Sequence, residues 1–428
     1  MPRSPVSPGL LRILVVGAGL CGAIATRDLR SRLGVQVGID VWEMARGAGG
    51  RASTTRSSAG AKADMGALQL TSKSHSHLVK PLLATGLLTP ASRDVMGSPE
   101  HQYVATDGLN GVNKYFLRDA DTVIFEKRLN DLNLTASGLQ WEANGSARKD
   151  ASIPTSIYDA VLLAVPPSSI LRVRGNFMNA LGKETMSTLK QVRWTSHFSL
   201  GLFYHSADTP RIHDSVLGRH PRRALIHDYS QDTSKVIQRV SLESVKHTAM
   251  DPAPAATLVL HSTEAFFAQH RKVPAGGGKG GGRQKGGGQS HGAFVSGAGR
   301  EEVVASMVLE LARLYPGLEG VETAEVKLIS WRESRVVPSK GRERLSISSN
   351  GSAPLALCGD WLTASDFDGC CRSAEAAVES LCESLMPGGA GAKDEAAACR
   401  GELKSIDIET DRRRRPRQRS RAKHRVQH

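Results

Sequence analysis

Residues Leu11 to Glu43, LRILVVGAGLCGAIATRDLRSRLGVQVGIDVWE, constrain this chain more than any other stretch. An apolar run, Ile13 to Val16, leads into Gly17-Ala18-Gly19-Leu20-Cys21-Gly22. Ile24, Ala25, Leu29 and Leu33 then recur on one helical face, and Val35, Val37, Ile39 and Val41 alternate up to Glu43. The spacing predicts a strand, a tight glycine turn, a helix and a second strand, the unit that holds the pyrophosphate of a dinucleotide. Gly17 permits the turn, Gly19 lets the ligand approach the backbone, and Gly22 lets the helix press against the strand. The free N–H groups at the helix start, with the positive end of its dipole, attract phosphate. Glu43 follows Gly22 at the distance from which an acid accepts hydrogen bonds from the adenosine ribose.

A chain of 428 residues buries a large core and suggests two or three domains. It has no apolar window long enough for a membrane span. The ten residues before the first strand lack the apolar region of a signal peptide and are short for a transit peptide. The six cysteines (Cys21, Cys358, Cys370, Cys371, Cys382, Cys399) make neither a disulfide framework nor a CxxC metal pair, so no metal is expected and a reducing compartment fits. The chain reads as cytoplasmic, with a nuclear address in the basic tail as an alternative. The formal charge of +14 is concentrated: Arg412 to Arg425 holds nine basic residues and Arg271 to Arg300 holds six, neither with an acid. The rest of the chain is close to neutral, so the charge says little about the folded body.

After Glu43 a second loop, Arg46-Gly47-Ala48-Gly49-Gly50-Arg51, precedes Ala63-Asp64-Met65-Gly66-Ala67. Its glycines allow a close approach to a ligand, and Arg51 offers several donors to a phosphate or a flavin edge. A nicotinamide cofactor has little need of this loop; the longer FAD does. Further on, Leu78 to Leu88 reads as helical, and Tyr103 to Leu117 as strand, Gly108 turn and helix. Val123 to Leu129 and Leu132 to Trp141 read as a hairpin. Asp159 to Val165 reads as a buried strand returning to the dinucleotide-binding sheet. Strands at Phe198–Tyr204, 224–227 and Thr257–Thr263 predict a mainly antiparallel sheet. The glycine-rich segment within 271–300 reads as a flexible insertion, and Glu301 to Leu314 as an amphipathic helix. Leu355 to Leu357 predicts a strand that leads to Gly359-Asp360, and Phe367-Asp368-Gly369-Cys370 opens a helix.

Taken together, VVGAGLCG, GGRAST, ADMGA, SLGLFY (Ser199 to Tyr204), LVLHST (Leu258 to Thr263), SWRES (Ser330 to Ser334) and CGDWLTASDFDGC (Cys358 to Cys370) resemble the flavin-containing amine oxidase superfamily over roughly residues 11–385. The resemblance implies an α/β fold: a Rossmann-like FAD-binding domain and a substrate domain built on a mainly antiparallel sheet. The implied division is a lead at 1–10, an FAD-binding domain from 11–72, 118–189 and 352–386, a substrate domain from 73–117 and 190–351 with the 271–300 insertion, and a disordered basic tail at 387–428. By position, Gly17, Gly19, Cys21, Gly22, Glu43, Gly50, Arg51, Ala67, Leu68, Gln69, Leu129, Asp360, Phe367 and Asp368 are expected to hold FAD. His261, Trp331, Tyr204 and Arg332 are expected on the substrate side of the isoalloxazine. The superfamily commonly carries Gln and then an aromatic residue after the ADxGA segment; this chain has Leu68-Gln69.

The implied activity is that of the superfamily branch that oxidises the 2- and 6-dihydro isomers of NAD(P)H to NAD(P)+, with O2 reduced to H2O2. Its partners are then a reduced nicotinamide dinucleotide and O2. Amine or polyamine oxidation is the alternative, although no lysine falls in a segment that matches the lysine such enzymes usually place near flavin N5. A third reading treats the flavin fold as a scaffold and the tail from Arg412 to Arg425 as a nonspecific polyanion contact, without the aromatic residues that stack bases.

Overall fold

The computed structural model describes residues 10–91, 101–147, 155–218, 225–246, 255–271, 292–294, 299–338, 344–349 and 353–386. The lead before residue 10, most of the glycine-rich insertion and the basic tail lie outside the described residues.

The chain opens with strand β1 (Leu11–Val16), helix α1 (Leu20–Leu33) and strand β2 (Val37–Trp42), as the glycine spacing predicts. Gly17 has φ +107°, and a Cβ at Gly22 would stand 1.9 Å from the Gly17 carbonyl oxygen, so only glycine allows this contact of helix and turn. Thr122–Ile124 (β3) adds in parallel to β2. The expected hairpin therefore differs in extent: it pairs Lys127–Leu134 with Trp141–Ala147. Gly138, at φ +70°, sits in the turn that Thr135 N–H closes onto the Gln140 carbonyl, so Leu132 to Trp141 cannot form one strand. Ala160–Leu163 (β4) returns beside β1.

The chain then builds strands β5 (Trp194–Tyr204), β6 (Ile226–Asp228), β7 (Ile237–Leu242) and β8 (Thr257–Ser262), helix α2 (Arg300–Leu314) and strand β9 (Thr323–Val336). It ends with β10 (Ile347–Ser348), β11 (Leu355–Leu357) and helix α3 (Phe367–Leu385), which closes back on α1. The first sheet runs β10-β11-β4-β1-β2-β3, parallel apart from β10. The second runs β6-β7-β8-β5-β9 and ends on a short strand, Gly292–Phe294. That edge strand lies inside the segment expected to be a wholly flexible insertion; its three residues pair with β9 instead.

Alternation along β1 covers both faces of the first sheet. Ile13 and Val15 join α1 and α3 in one core, whereas Leu14 and Val16 join Trp141, Tyr158 and Phe177 in another. In the second sheet Phe198, Leu200 and Leu202 pack under Val303, Met307 and Leu311 of α2. Within 73–117, expected in the substrate domain, Leu78, Leu82, Val112 and Phe116 pack instead with α1 and α3, whereas Ala91 and Val104 pack with Phe203, Val259 and Ile329 of the second sheet.

Candidate active site

A cavity of about 860 Å³ opens where β1, the glycine turn and the Gly49–Ala52 loop meet the face of the second sheet that α2 leaves bare. Its floor has the positive ends of two helices. Gly19 caps α1, and Asp366 caps α3 by accepting a hydrogen bond from Gly369 N–H at 2.6 Å. Glu43, at the end of β2, holds the turn: its carboxylate accepts from the N–H groups of Ala18 and Ala45, each at 2.7 Å. Arg51 reaches Asp360 through two hydrogen bonds, stacks over Trp194 and touches the Ser334 carbonyl oxygen. Asp360 is 2% exposed; burial works against the charge on Arg51, but the adjacent carboxylate outweighs it and raises the guanidinium pKa. Gly66 lies flush on this loop, since a Cβ there would meet the Arg51 carbonyl oxygen at 1.9 Å.

The roof follows from strand alternation. On β5, β8 and β9 one face feeds the core under α2, and the other carries His197, His261, Ile329 and Trp331 to the cavity. The Trp331 indole N–H donates to the Met65 carbonyl oxygen at 2.8 Å. His197 lies directly across from Trp331, and its ring sits 4.3 Å from that of His261. Desolvation, reinforced by Arg239 and Arg335, pushes the His197 pKa down to about 3; desolvation and then His197 itself hold His261 well below its ordinary value. Both rings are therefore neutral at physiological pH. Arg239, held by Asp228, and Arg335 complete this wall.

Most of the expected site residues meet at this cavity. Gly17, Gly19, Cys21, Glu43, Gly50 and Arg51 line it from the floor. Ala67, Leu68, Gln69, Asp360 and Phe367 line it from the side, and His261 and Trp331 from the roof. Gly22 serves α1 packing, and Leu129 lines a smaller adjoining cavity that shares Gly17 and Glu43 with the larger one. Three expectations are corrected. Asp368 turns away: its carboxylate accepts from Ser72 Oγ and from the N–H groups of Lys73 and Ser74, and it pairs with His75. Tyr204 shares its face of β5 with Leu200 and Leu202 and is buried in the core under α2. Arg332 is exposed, because the residue after Trp331 on a strand must point the other way. Sequence reasoning passed over His197, Arg239, Arg335 and Trp361; cross-strand register brings His197 beside Trp331 and Arg239 beside His261, and Arg335 stands four residues beyond Trp331 on the same strand.

The residues present fit a bound flavin dinucleotide. Gly19 has open space where a Cβ would stand, and among the described residues the buried Gln69 Oε1 and Trp361 Nε1 atoms at the cavity have no hydrogen-bond partner. A dinucleotide floor alone serves a nicotinamide or a flavin. Here the Gly49–Arg51 loop and Asp360 extend it past the end of β2, which the longer molecule requires, so the site is that of an FAD-dependent oxidoreductase.

A family profile described as NAD(P)-binding Rossmann-like domain matches residues 15–84. The chain is 26% identical to renalase of Mus musculus over 389 residues, 86% of this chain and 98% of that protein. Putrescine oxidase, solved with putrescine bound, shares the fold with a TM-score of 0.58 at 14% identity, covering 87% of this chain and 99% of that one. A structure from Exiguobacterium sp. 255-15, provisionally named protoporphyrinogen oxidase, gives a TM-score of 0.59 at 11% identity over 89% of this chain and 100% of its own. The chain is thus similar to renalase over most of its length and shares its fold with the two oxidases just named, and its cofactor is FAD. Among the described residues no helix is long and apolar enough to cross a membrane.

Proposed function

We propose that this oxidoreductase removes a hydride from the 2- or 6-dihydro isomers of NAD(P)H, so that substrate, O2 and a proton yield NAD(P)+ and H2O2. When bound, FAD supplies the hydride acceptor and returns the electrons to O2. Glu43, the glycine turn, Arg51 and Asp360 are assigned to holding it, and Trp331, His197 and His261 to orienting the dihydropyridine ring in a water-poor pocket.

The observation that carries this reading is the charge on the substrate wall. It combines two neutral imidazoles and an indole with the guanidinium of Arg335 and with Arg239, which is paired with Asp228, so Arg335 is the cation of this wall without an ion-pair partner among the described residues. A cationic amine would meet repulsion there, whereas a dinucleotide brings anionic phosphates. Among the described residues, no lysine of the sheet lines this wall. Lys246 is fully buried, bonded to Glu243 and the Leu68 carbonyl oxygen at 2.7 Å each and 3.6 Å from Asp64. We assign the protein to the cytoplasm, on the ground that Cys21, Cys358, Cys370, Cys371 and Cys382 are buried free thiols.

The test is the absorbance of the purified protein during anaerobic addition of 6-dihydro-NADP. Rapid bleaching, followed by recovery and peroxide formation on admitting air, is expected. A flavin that bleaches with amines and not with the dihydronicotinamide would overturn the reading.

A further inference from the structure

We infer that Arg239 and Arg335 form an anion subsite at the cavity that takes a phosphate of the substrate; the inference rests on the dinucleotide reading above. Arg335 lies four residues beyond Trp331 on β9 and lines the same cavity. Arg239 lies on β7 directly across from His261. The histidine pair thus has a guanidinium near it from each of two strands, and both arginines oppose protonation of both rings.

The two cations are not equally compensated. Asp228 is engaged with Arg239, and the other nearby acid, Asp366, caps α3. Among the described residues, the Arg335 guanidinium makes no hydrogen bond or ion pair. Burial and then Arg239 lower its pKa, so a second cation close by adds to the cost of its charge. A planar guanidinium with all its donors available, beside a second one held in place, matches the oxygens of a phosphate. The subsite would fix the far part of the substrate while Trp331 and His261 meet the ring, so it is expected to govern KM rather than the hydride step.

The experiment compares FAD-loaded wild type with Arg335→Gln and Arg335→Lys on two substrates: 6-dihydro-NADP, and 6-dihydronicotinamide riboside, which has no phosphate. Arg335→Gln should raise KM for 6-dihydro-NADP by about 10-fold or more and leave kcat within about 2-fold. It should not change kcat/KM for the riboside, and the lysine variant should recover part of the loss. Calorimetry should show NADP+ and inorganic pyrophosphate binding the glutamine variant more weakly by a similar factor. Equal effects on the two substrates, no effect on either, or loss of FAD from the variant would overturn the proposal. If wild type oxidises neither dihydronicotinamide, the substrate reading fails, and pyrophosphate calorimetry still judges the subsite.

Discussion

Arg51 and Asp360 stand 309 positions apart in the chain and meet in a two-point ion pair, Nη1 to Oδ2 at 2.7 Å and Nη2 to Oδ1 at 2.5 Å. The pair joins the second glycine loop to the segment that leads into α3, and both residues line the cavity. Asp360 also accepts a hydrogen bond from Ser365 Oγ. Asp360→Asn keeps the shape and removes the charge, leaving Arg51 short of a partner. A loss of about 1.5–3 kcal/mol of stability is expected, with a lower FAD content after purification. Denaturant unfolding and the ratio of flavin to protein absorbance measure both. Full FAD retention would show that Arg51 needs no carboxylate to stay in place.

The two glycines of the turn separate folding from cofactor binding. A Cβ at Gly22 would collide with the Gly17 carbonyl oxygen, whereas Gly19 has open space and an ordinary φ of −74°. Gly22→Ala should cost about 1–3 kcal/mol even without FAD. Gly19→Ala should leave the apoprotein as stable as wild type and weaken FAD binding by about 10-fold or more. Thermal melts of the apoproteins and FAD titrations distinguish the two; identical behaviour of the variants would remove this division of labour.

The two buried imidazoles make stability depend on pH. In the unfolded chain histidine titrates near 6.5, whereas folded His197 stays neutral down to about 3. Between these values the unfolded state binds more protons. The contribution of His197 is therefore complete above about pH 6.5 and is lost as pH falls, at up to about 1.4 kcal/mol per pH unit. His197→Phe should flatten the slope of unfolding free energy against pH in this window. Equal slopes for wild type and variant would mean that the ring is protonated in the folded state.

Strand alternation makes the fourth prediction. Trp331 reaches the cavity and donates to Met65, whereas Tyr204 lies in the core under α2. Trp331→Phe loses that hydrogen bond, worth about 1 kcal/mol, and part of the cavity wall. It should lower kcat/KM about 10-fold, and Tyr204→Phe should leave it within about 2-fold. Steady-state kinetics on 6-dihydro-NADP is the measurement, and a larger loss at Tyr204 would reverse the assignment of faces.

What the sequence by itself determined is local. The glycine spacing from Gly17 to Gly22, the apolar face of α1 and the alternation up to Glu43 dictate the dinucleotide unit, because turn geometry and helical period act over a few residues. The strand from Leu355 to Leu357 and the helix opening at Phe367 were legible for the same reason. Tertiary structure decided which side of each strand meets the cavity. Nothing within SWRES says whether Trp331 or Arg332 turns inward, and nothing within LVLHST says that His261 faces Arg239. Those choices depend on register against strands far away in the chain and on which face α2 buries. Asp368 makes the same point: the resemblance placed it at the cofactor, yet Ser72, Lys73, Ser74 and His75, nearly three hundred residues earlier, satisfy its carboxylate. Local pattern sets what each segment becomes; the partner that a side chain finds is set by packing between segments that meet only when the chain folds.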